Sequence, residues 1–216
     1  MKKVICGFIC LGIITMLFTN GYSIKGKNES VQTSISNKLI RFHVIANSDS
    51  AQDQALKLKI RDKVLEYISP KLKNSKSIEE SRTILKSNDE AIRKIAQEVV
   101  KKNGYNYVVE TELSKQTFPV KTYGNITLPQ GDYEAYRILI GSAAGQNWWC
   151  VMFPPLCFID ISKGEVSYTE TEKSMKKVLS EEEYKALDNT KDKIEDDSKI
   201  VVKFKVVELI DKLLNK

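Results

Sequence analysis

The stretch that decides the fold is residues 39–50, which read LIRFHVIANSDS. Residues 39–46 are apolar and β-branched enough to predict a strand. Residues 47–50 then supply amide, hydroxyl and carboxylate side chains of the kind that form turns and cap helices. The sequence therefore predicts a strand that leads directly into a helix.

Helical spacing follows this turn. Apolar residues recur at intervals of three and four from Ala51 to Ile68, and Ser69-Pro70 is expected to end that helix. Ser77 and Ser87 each precede a glutamate by three positions, which is the capping-box spacing, and they predict two further helices. Asn103-Gly104 offers a left-handed end to the second of these.

Beyond Gly104 the apolar spacing changes to the alternation that is typical of strands. The strand-like runs are residues 105–113, 118–128 and 133–140. Turn-forming residues separate them, so a largely antiparallel sheet is expected. The predicted class is α+β: an N-terminal strand, then helices, then a mainly antiparallel sheet, all in a single globular domain.

The C-terminal part gives weaker signals. Ser180 and the three glutamates after it predict a short helix that ends at Leu187. Residues 188–198 are polar and predict a loop. The spacing of residues 200–214 fits a strand, a helix, or one element turning into the other, so this segment stays unassigned.

The N-terminus has the layout of a secretory signal. Lys2 and Lys3 precede an apolar run from Val4 to Phe18, and smaller residues follow up to position 23. Residues 1–23 are therefore expected to be a cleaved signal peptide, with an uncleaved membrane anchor as the alternative. Polar residues 24–37 predict a flexible leader, and residues 38–216 are expected to form the exported domain.

Composition is that of an ordinary globular protein. Charged residues make up 29% and hydrophobic residues 42%, which excludes collagen-like, coiled-coil and wholly disordered chains. The net charge is +6, but lysine and glutamate are interspersed throughout the chain. The charge is therefore expected to serve solubility, with peripheral attraction to anionic membranes or wall polymers as a lesser alternative. A nucleic-acid partner is not expected for an exported chain.

Residues 146–158, which read QNWWCVMFPPLCF, hold both tryptophans and the single Pro-Pro pair. Because Pro-Pro bends the chain, the flanking segments can fold back and bring Cys150 to face Cys157. Export to an oxidising compartment then predicts a disulfide between them, with two buried free thiols as the alternative. Trp148 and Trp149 are adjacent on a strand and must face opposite ways, so one can contact a partner; two core tryptophans are the alternative.

The sequence offers little to support catalysis. His43 stands near Ser48 and Asp49, but no Gly-x-Ser-x-Gly or comparable frame accompanies them. His43 is therefore interpreted as making a structural hydrogen bond at a strand end, with partner recognition and then catalysis as the lesser alternatives. One histidine, and two cysteines with six residues between them outside the signal segment, do not form a complete metal-ligand set. No catalytic residue, metal or cofactor is expected.

Three long segments resemble the stage II sporulation protein R family of endospore-forming bacteria. They are residues 39–62, residues 118–135, which contain FPVKTYG and LPQGDYEA, and residues 145–157, which contain GQNWWCVMFPPLC. The likeness extends from about Leu39 to Asp160. Residues 161–216 carry no motif that is diagnostic of the family.

This resemblance implies a signalling protein that is made in the forespore and exported into the space between the forespore and mother-cell membranes. There it would activate the membrane-bound aspartic peptidase that matures the sigma-E precursor. The peptidase would carry the catalytic aspartates, so this chain is not expected to be an enzyme. The competing hypotheses are an extracytoplasmic hydrolase centred on His43, Ser48 and Asp49, and a wall-binding module that stacks sugars on Trp148 or Trp149.

The expected peptidase-facing surface combines two segments. Its residues are Asn47, Ser48, Asp49, Asn147, Trp148 and Trp149. Both segments are richer in amide, hydroxyl and indole groups than a structural turn or strand requires. Interfaces favour a buried aromatic anchor ringed by hydrogen-bonding groups. Helix capping by the first segment and core packing by the second are the competing explanations.

Overall fold

A computed structural model describes residues 31–158 and 168–189. The signal segment, residues 24–30 and the unassigned segment 200–214 lie outside these residues, and their predictions stay predictions. In the described part of the chain, no helix has the length and apolar character needed to cross a bilayer.

Helices and strands are both present, which confirms the α+β class. The helices are α1 (31–36), α2 (Ala51–Leu72), α3 (Ile78–Ser87), α4 (Asp89–Lys102), α5 (Tyr168–Lys176) and α6 (Glu181–Leu187). The strands are β1 (Ile40–Ile45), β2 (Val109–Phe118), β3 (Lys121–Tyr123), β4 (Ile126–Leu128), β5 (Gly131–Ile140) and β6 (Asn147–Phe153). One turn of 3₁₀ helix, Leu156–Phe158, follows β6.

The main sheet is mixed. Its strand order is β2-β5-β1-β6, and β3 pairs with β4 in a separate hairpin. The β2–β5 and β1–β6 pairs are antiparallel, as the sequence predicts, whereas β1 and β5 run parallel. A parallel pair needs a long crossover, which is supplied here by α2 to α4 and β2. All six residues of β1 are buried, because this strand is central and both faces of the sheet are covered.

Alternation along β1 divides the interior into two cores. Ile40, Phe42 and Val44 face α2, α3 and α4. The residues between them point to the other face, which is covered by α1, the β3–β4 hairpin, α5 and α6. One face of β1 is therefore apolar, and its other face carries Arg41 and His43.

Two helix boundaries differ from their predictions. Helix α2 continues through Pro70 to Leu72, because Ile68 and Leu72 both bury their side chains in the first core and this packing outweighs the proline signal. Helix α4 starts one residue later than the capping box indicates. Its N-cap is Asn88, which makes no side-chain cap, and Ser87 is instead the last residue of α3.

Residues 31–37 of the predicted flexible leader are packed onto the domain. Ile35 is 1% exposed and belongs to the second core. Glu183 at the start of α6 accepts hydrogen bonds from Ser34 Oγ at 2.6 Å and Lys38 Nζ at 2.7 Å. Burial alone would raise the pKa of Glu183, but these donors and the Ser180 N–H lower it to about 2. Helix α1 is thus tied to α6, whose own capping box at Ser180 is complete, as predicted.

Candidate functional site

Asp53 organises the turn between β1 and α2. Its Oδ2 accepts hydrogen bonds from Ser48 Oγ at 2.6 Å and from Asn47 Nδ2 at 2.9 Å. Its backbone N–H donates to Ser50 Oγ at 3.1 Å, so that Ser50 is the N-cap of α2. The bonds from Ser48 and then Asn47 lower the pKa of Asp53, which keeps this buried carboxylate ionised.

The same turn holds the loop that leads into β6. Asn47 Oδ1 accepts from the Ser142 N–H at 3.0 Å, and Asp49 Oδ1 accepts from the Gln146 N–H at 2.7 Å. Gly141 has a φ of +58°, and a Cβ there would collide with Asn47 Oδ1. Residues 141–145, which the sequence presents as a flexible turn, are therefore fixed to the end of β1.

All three turn residues of the expected partner surface thus make hydrogen bonds within the chain. Asn47 and Ser48 are half-buried, while Asp49 is exposed. Their contacts account for capping and loop attachment without a partner. A partner-binding role for Asn47, Ser48 and Asp49 stays a prediction.

The two tryptophans lie on opposite faces of β6, as their adjacency requires. Trp148 belongs to the first core, with its ring centroid 5.8 Å from that of Phe42 and the Arg61 guanidinium 4.8 Å away. Trp149 belongs to the second core and stacks on His43 at 4.8 Å. Both indoles are half-buried, so each has a packed side and an open side. The half-buried Asn147 beside them has an Oδ1 that finds no hydrogen bond in the described residues.

His43 does not make the structural hydrogen bond predicted for it. It lies in the middle of β1, 4% exposed, between Trp149 and the Phe118 ring at 5.2 Å. Neither ring nitrogen has a hydrogen-bond partner among the described residues. Ser48 Oγ donates to Asp53 instead of to this ring, so the structure does not assemble the hydrolase centre considered above. His43 acts here as a packed aromatic ring.

A row of four side chains crosses the sheet at His43. Strand register places Trp149, His43, Arg137 and Glu112 side by side on β6, β1, β5 and β2. Arg137 forms an ion pair with Glu112. Burial, then Arg137 and Arg41, lower the pKa of His43 to about 4. His43 is therefore neutral at physiological pH.

Arg41 is the functional candidate that the sequence analysis missed. It is fully buried, and its guanidinium carbon lies 4.3 Å from the Phe118 ring and 4.8 Å from the Tyr133 ring. Nη2 donates to the Tyr123 hydroxyl at 3.0 Å, but Nε and Nη1 have no partner in the described residues. No carboxylate of those residues pairs with it. The signal available in the sequence was an arginine at the second position of a mainly apolar strand.

The predicted disulfide is confirmed. Cys150 at the middle of β6 is bonded to Cys157 in the 3₁₀ turn, with a Cα–Cα distance of 5.6 Å. Both cysteines are buried. The bond closes the short loop that contains Pro154 and Pro155. Closing such a loop stabilises the fold by roughly 2–3 kcal/mol, because it lowers the conformational entropy of the unfolded chain.

Comparison with known proteins decides the family. The family model described as stage II sporulation protein R matches residues 36–163, which include β1, the Asp53 turn and β6. The chain is 40% identical to stage II sporulation protein R of Bacillus subtilis (strain 168), over 100% of both chains. The chain belongs to the stage II sporulation protein R family. No solved structure matches it.

Membership in the stage II sporulation protein R family supports a sporulation signalling role. The family is not named for an enzymatic activity. Within residues 31–158 and 168–189, no group of three or more His, Cys, Asp or Glu side chains is arranged to hold a metal ion. What the described site offers is a rigid turn, two half-buried indoles and a buried arginine, Arg41.

Acidification is expected to destabilise this family member through His43. Its pKa is about 4 in the folded chain and 6.5 ordinarily. At a pH between these two values, His43 is mostly protonated in the unfolded chain and mostly neutral in the folded chain. Stability should therefore fall as pH drops from about 6.5, by at most about 3 kcal/mol near pH 4. Urea unfolding across pH 4.5–7 measures this loss above the range in which Glu183 titrates. His43→Gln is the control, and an equal slope in that variant would assign the loss to other groups.

Proposed function

We propose that the chain is exported from the forespore and activates a membrane-bound aspartic peptidase that matures the sigma-E precursor. Family membership carries this proposal, because it places the chain in sporulation signalling. The neutral, unpartnered His43 and the engaged Ser48 support a binding role over hydrolysis. Activation by binding requires only that the chain binds the active form of the peptidase more tightly than the inactive form.

The surface proposed for this contact is the start of β6 together with the turn before α2. Asn147, Trp148 and Trp149 begin an edge strand of the described sheet, and each is half-buried. Half-buried aromatics beside a polar side chain resemble the anchors found in interfaces, although the Oδ1 of Asn147 is itself shielded from solvent. Asn47, Ser48 and Asp49 contribute by fixing the loop that positions Asn147, and the exposed Asp49 lies at its rim.

Co-expression in a non-sporulating host tests the proposed function. The chain, the candidate peptidase and the sigma-E precursor are produced together, and precursor cleavage is measured. Cleavage should require both the chain and the peptidase. Cleavage by the chain without the peptidase would favour the hydrolase hypothesis, and no cleavage with all three components would contradict the proposal. Sedimentation with purified peptidoglycan tests the wall-binding hypothesis.

Asn147→Ala is the sharpest variant of the proposed surface. Asn147 Oδ1 has no partner in the described structure, so this change should alter stability by less than about 1 kcal/mol. We expect at least a several-fold loss of precursor cleavage, with normal export and an unchanged melting temperature. Glu110→Ala on β2, the opposite edge strand, is the control and should retain full cleavage. Equal cleavage by both variants would show that Asn147 is not part of the contact with the peptidase.

A further inference from the structure

A groove of about 1020 Å³ lies away from the turn before α2. One wall is the end of α2 with the loop after it, and the other is α5. Its lining includes Ser69, Pro70, Lys73, Asn74, Ser75, Lys76, Phe153, Pro154, Pro155, Glu170, Lys173, Ser174, Lys177 and Val178. Phe153 and Pro154 are buried, so the floor is apolar.

Four lysines give this groove a positive charge. Lys73 and Lys76 are on the α2 wall, while Lys173 and Lys177 are on the α5 wall. All four are exposed, and none makes an ion pair within the described residues. Glu170 is the one acidic residue among the described residues of the lining.

Pairing differs among the exposed lysines of the helices. Five of them pair with glutamates three or four positions away, in Lys63–Glu66, Lys94–Glu90, Lys102–Glu98, Lys176–Glu172 and Lys185–Glu181, whereas Lys86 and Lys101 outside the groove make no ion pair in the described residues. On α5, Lys176 is paired with Glu172, whereas Lys173 on the same helix and Lys177 directly after it are not. The groove side of α5 therefore keeps its charge available, which favours an anionic occupant.

We propose that the groove binds an acidic peptide segment of a partner protein, one that also carries apolar side chains. Lysines on facing walls can contact carboxylates on both sides of an extended chain, and the apolar floor can accept side chains between them. A flat anionic membrane would meet one wall or the other but would leave this floor empty. The volume is at the upper end for small-molecule sites, and suits several residues of peptide.

The disulfide supports this function by holding the floor. Phe153, Pro154 and Pro155 lie inside the loop that Cys150 and Cys157 close. A closed loop is already ordered before the peptide arrives, which lowers the entropy lost on binding. The groove is thus a second contact region, separate from Asn147 and the indoles. As a contact with the peptidase it rests on the proposed function.

Peptide binding is tested with the full chain and a fluorescein-labelled probe, Glu-Glu-Leu-Glu-Phe-Glu-Glu, by fluorescence anisotropy at low salt. The double variant Lys73→Glu/Lys173→Glu should bind roughly tenfold more weakly than the wild type. The control is Lys86→Glu/Lys101→Glu, which changes the net charge equally at exposed lysines outside the groove. Equal affinities of the two double variants, whether reduced or not, would overturn the proposal.

Two further measurements separate the remaining outcomes. The first is a flotation assay with vesicles of phosphatidylcholine that contain a quarter phosphatidylglycerol. If the groove variant Lys73→Glu/Lys173→Glu floats less than the wild type but binds the peptide equally well, the groove binds membranes and the proposal is overturned. In the co-expression assay, the groove variant should lose cleavage and the control should keep it. If the wild type itself gives no cleavage, the proposed function fails. If the wild type and both variants cleave equally, only the groove contact fails.

Discussion

Arg41→Ala is expected to lower the free energy of unfolding by about 3–5 kcal/mol, whereas Arg41→Met should change it by less than about 1 kcal/mol. The guanidinium fills the space between Phe118 and Tyr133, and alanine would leave that space empty. Methionine refills most of the volume. The charge itself contributes little net stability, because its desolvation is offset by one hydrogen bond to Tyr123 and by contacts with ring faces.

Urea unfolding at pH 7 measures both changes, with the exposed Arg93→Ala as the control. If Arg41→Met is as destabilising as Arg41→Ala, the interaction of the cation with the aromatic rings is the main stabilising factor. If Arg41→Met stays folded and precursor cleavage is lost, the cation contributes to signalling. Retained stability together with retained cleavage would leave Arg41 with no role beyond packing.

Local chemistry made the first half of the fold predictable. The strand at residues 40–45, its turn and the start of α2 follow from side chains that contact each other within a few positions, as Ser50 and Asp53 do. Gly104 ends α4 with a φ of +81°, as its sequence context predicts. These elements need no knowledge of distant residues.

Long-range packing decided the features that the sequence left open or concealed. The parallel β1–β5 pair joins residues more than 90 positions apart, and no local pattern marks it. Pro70 stays inside α2 because of burial at Ile68 and Leu72. Helix α5 was not predicted, since its apolar contacts are few and come from across the fold.

The candidate site divides in the same way. The disulfide and the opposite faces of the tryptophans follow from spacing within one strand and one bend. The desolvation of His43 does not follow from local spacing, because Phe118, Trp149 and Arg137 reach it from other strands. The lysines of the groove, separated by about 100 positions, become neighbours only through the complete fold.

Asp53→Ala is expected to destabilise the chain by about 3–5 kcal/mol, through loss of the carboxylate that accepts hydrogen bonds from Asn47 and Ser48. Both donors would be left half-buried without their acceptor. Asp53→Asn keeps an acceptor oxygen and should cost less. The exposed Asp49→Asn is the matched control, since it affects a single bond to the Gln146 N–H.

Urea unfolding and amide hydrogen exchange measure the result at two levels. Exchange at Ser142 and Gln146 should become faster in Asp53→Ala, because the turn that holds their loop is loosened. Asn47→Ala then separates the two roles of the turn. A loss of cleavage that matches its loss of stability would make Asn47 part of the supporting frame. Full stability with lost cleavage would instead mean that Asn47 contacts the peptidase directly, as the sequence first indicated.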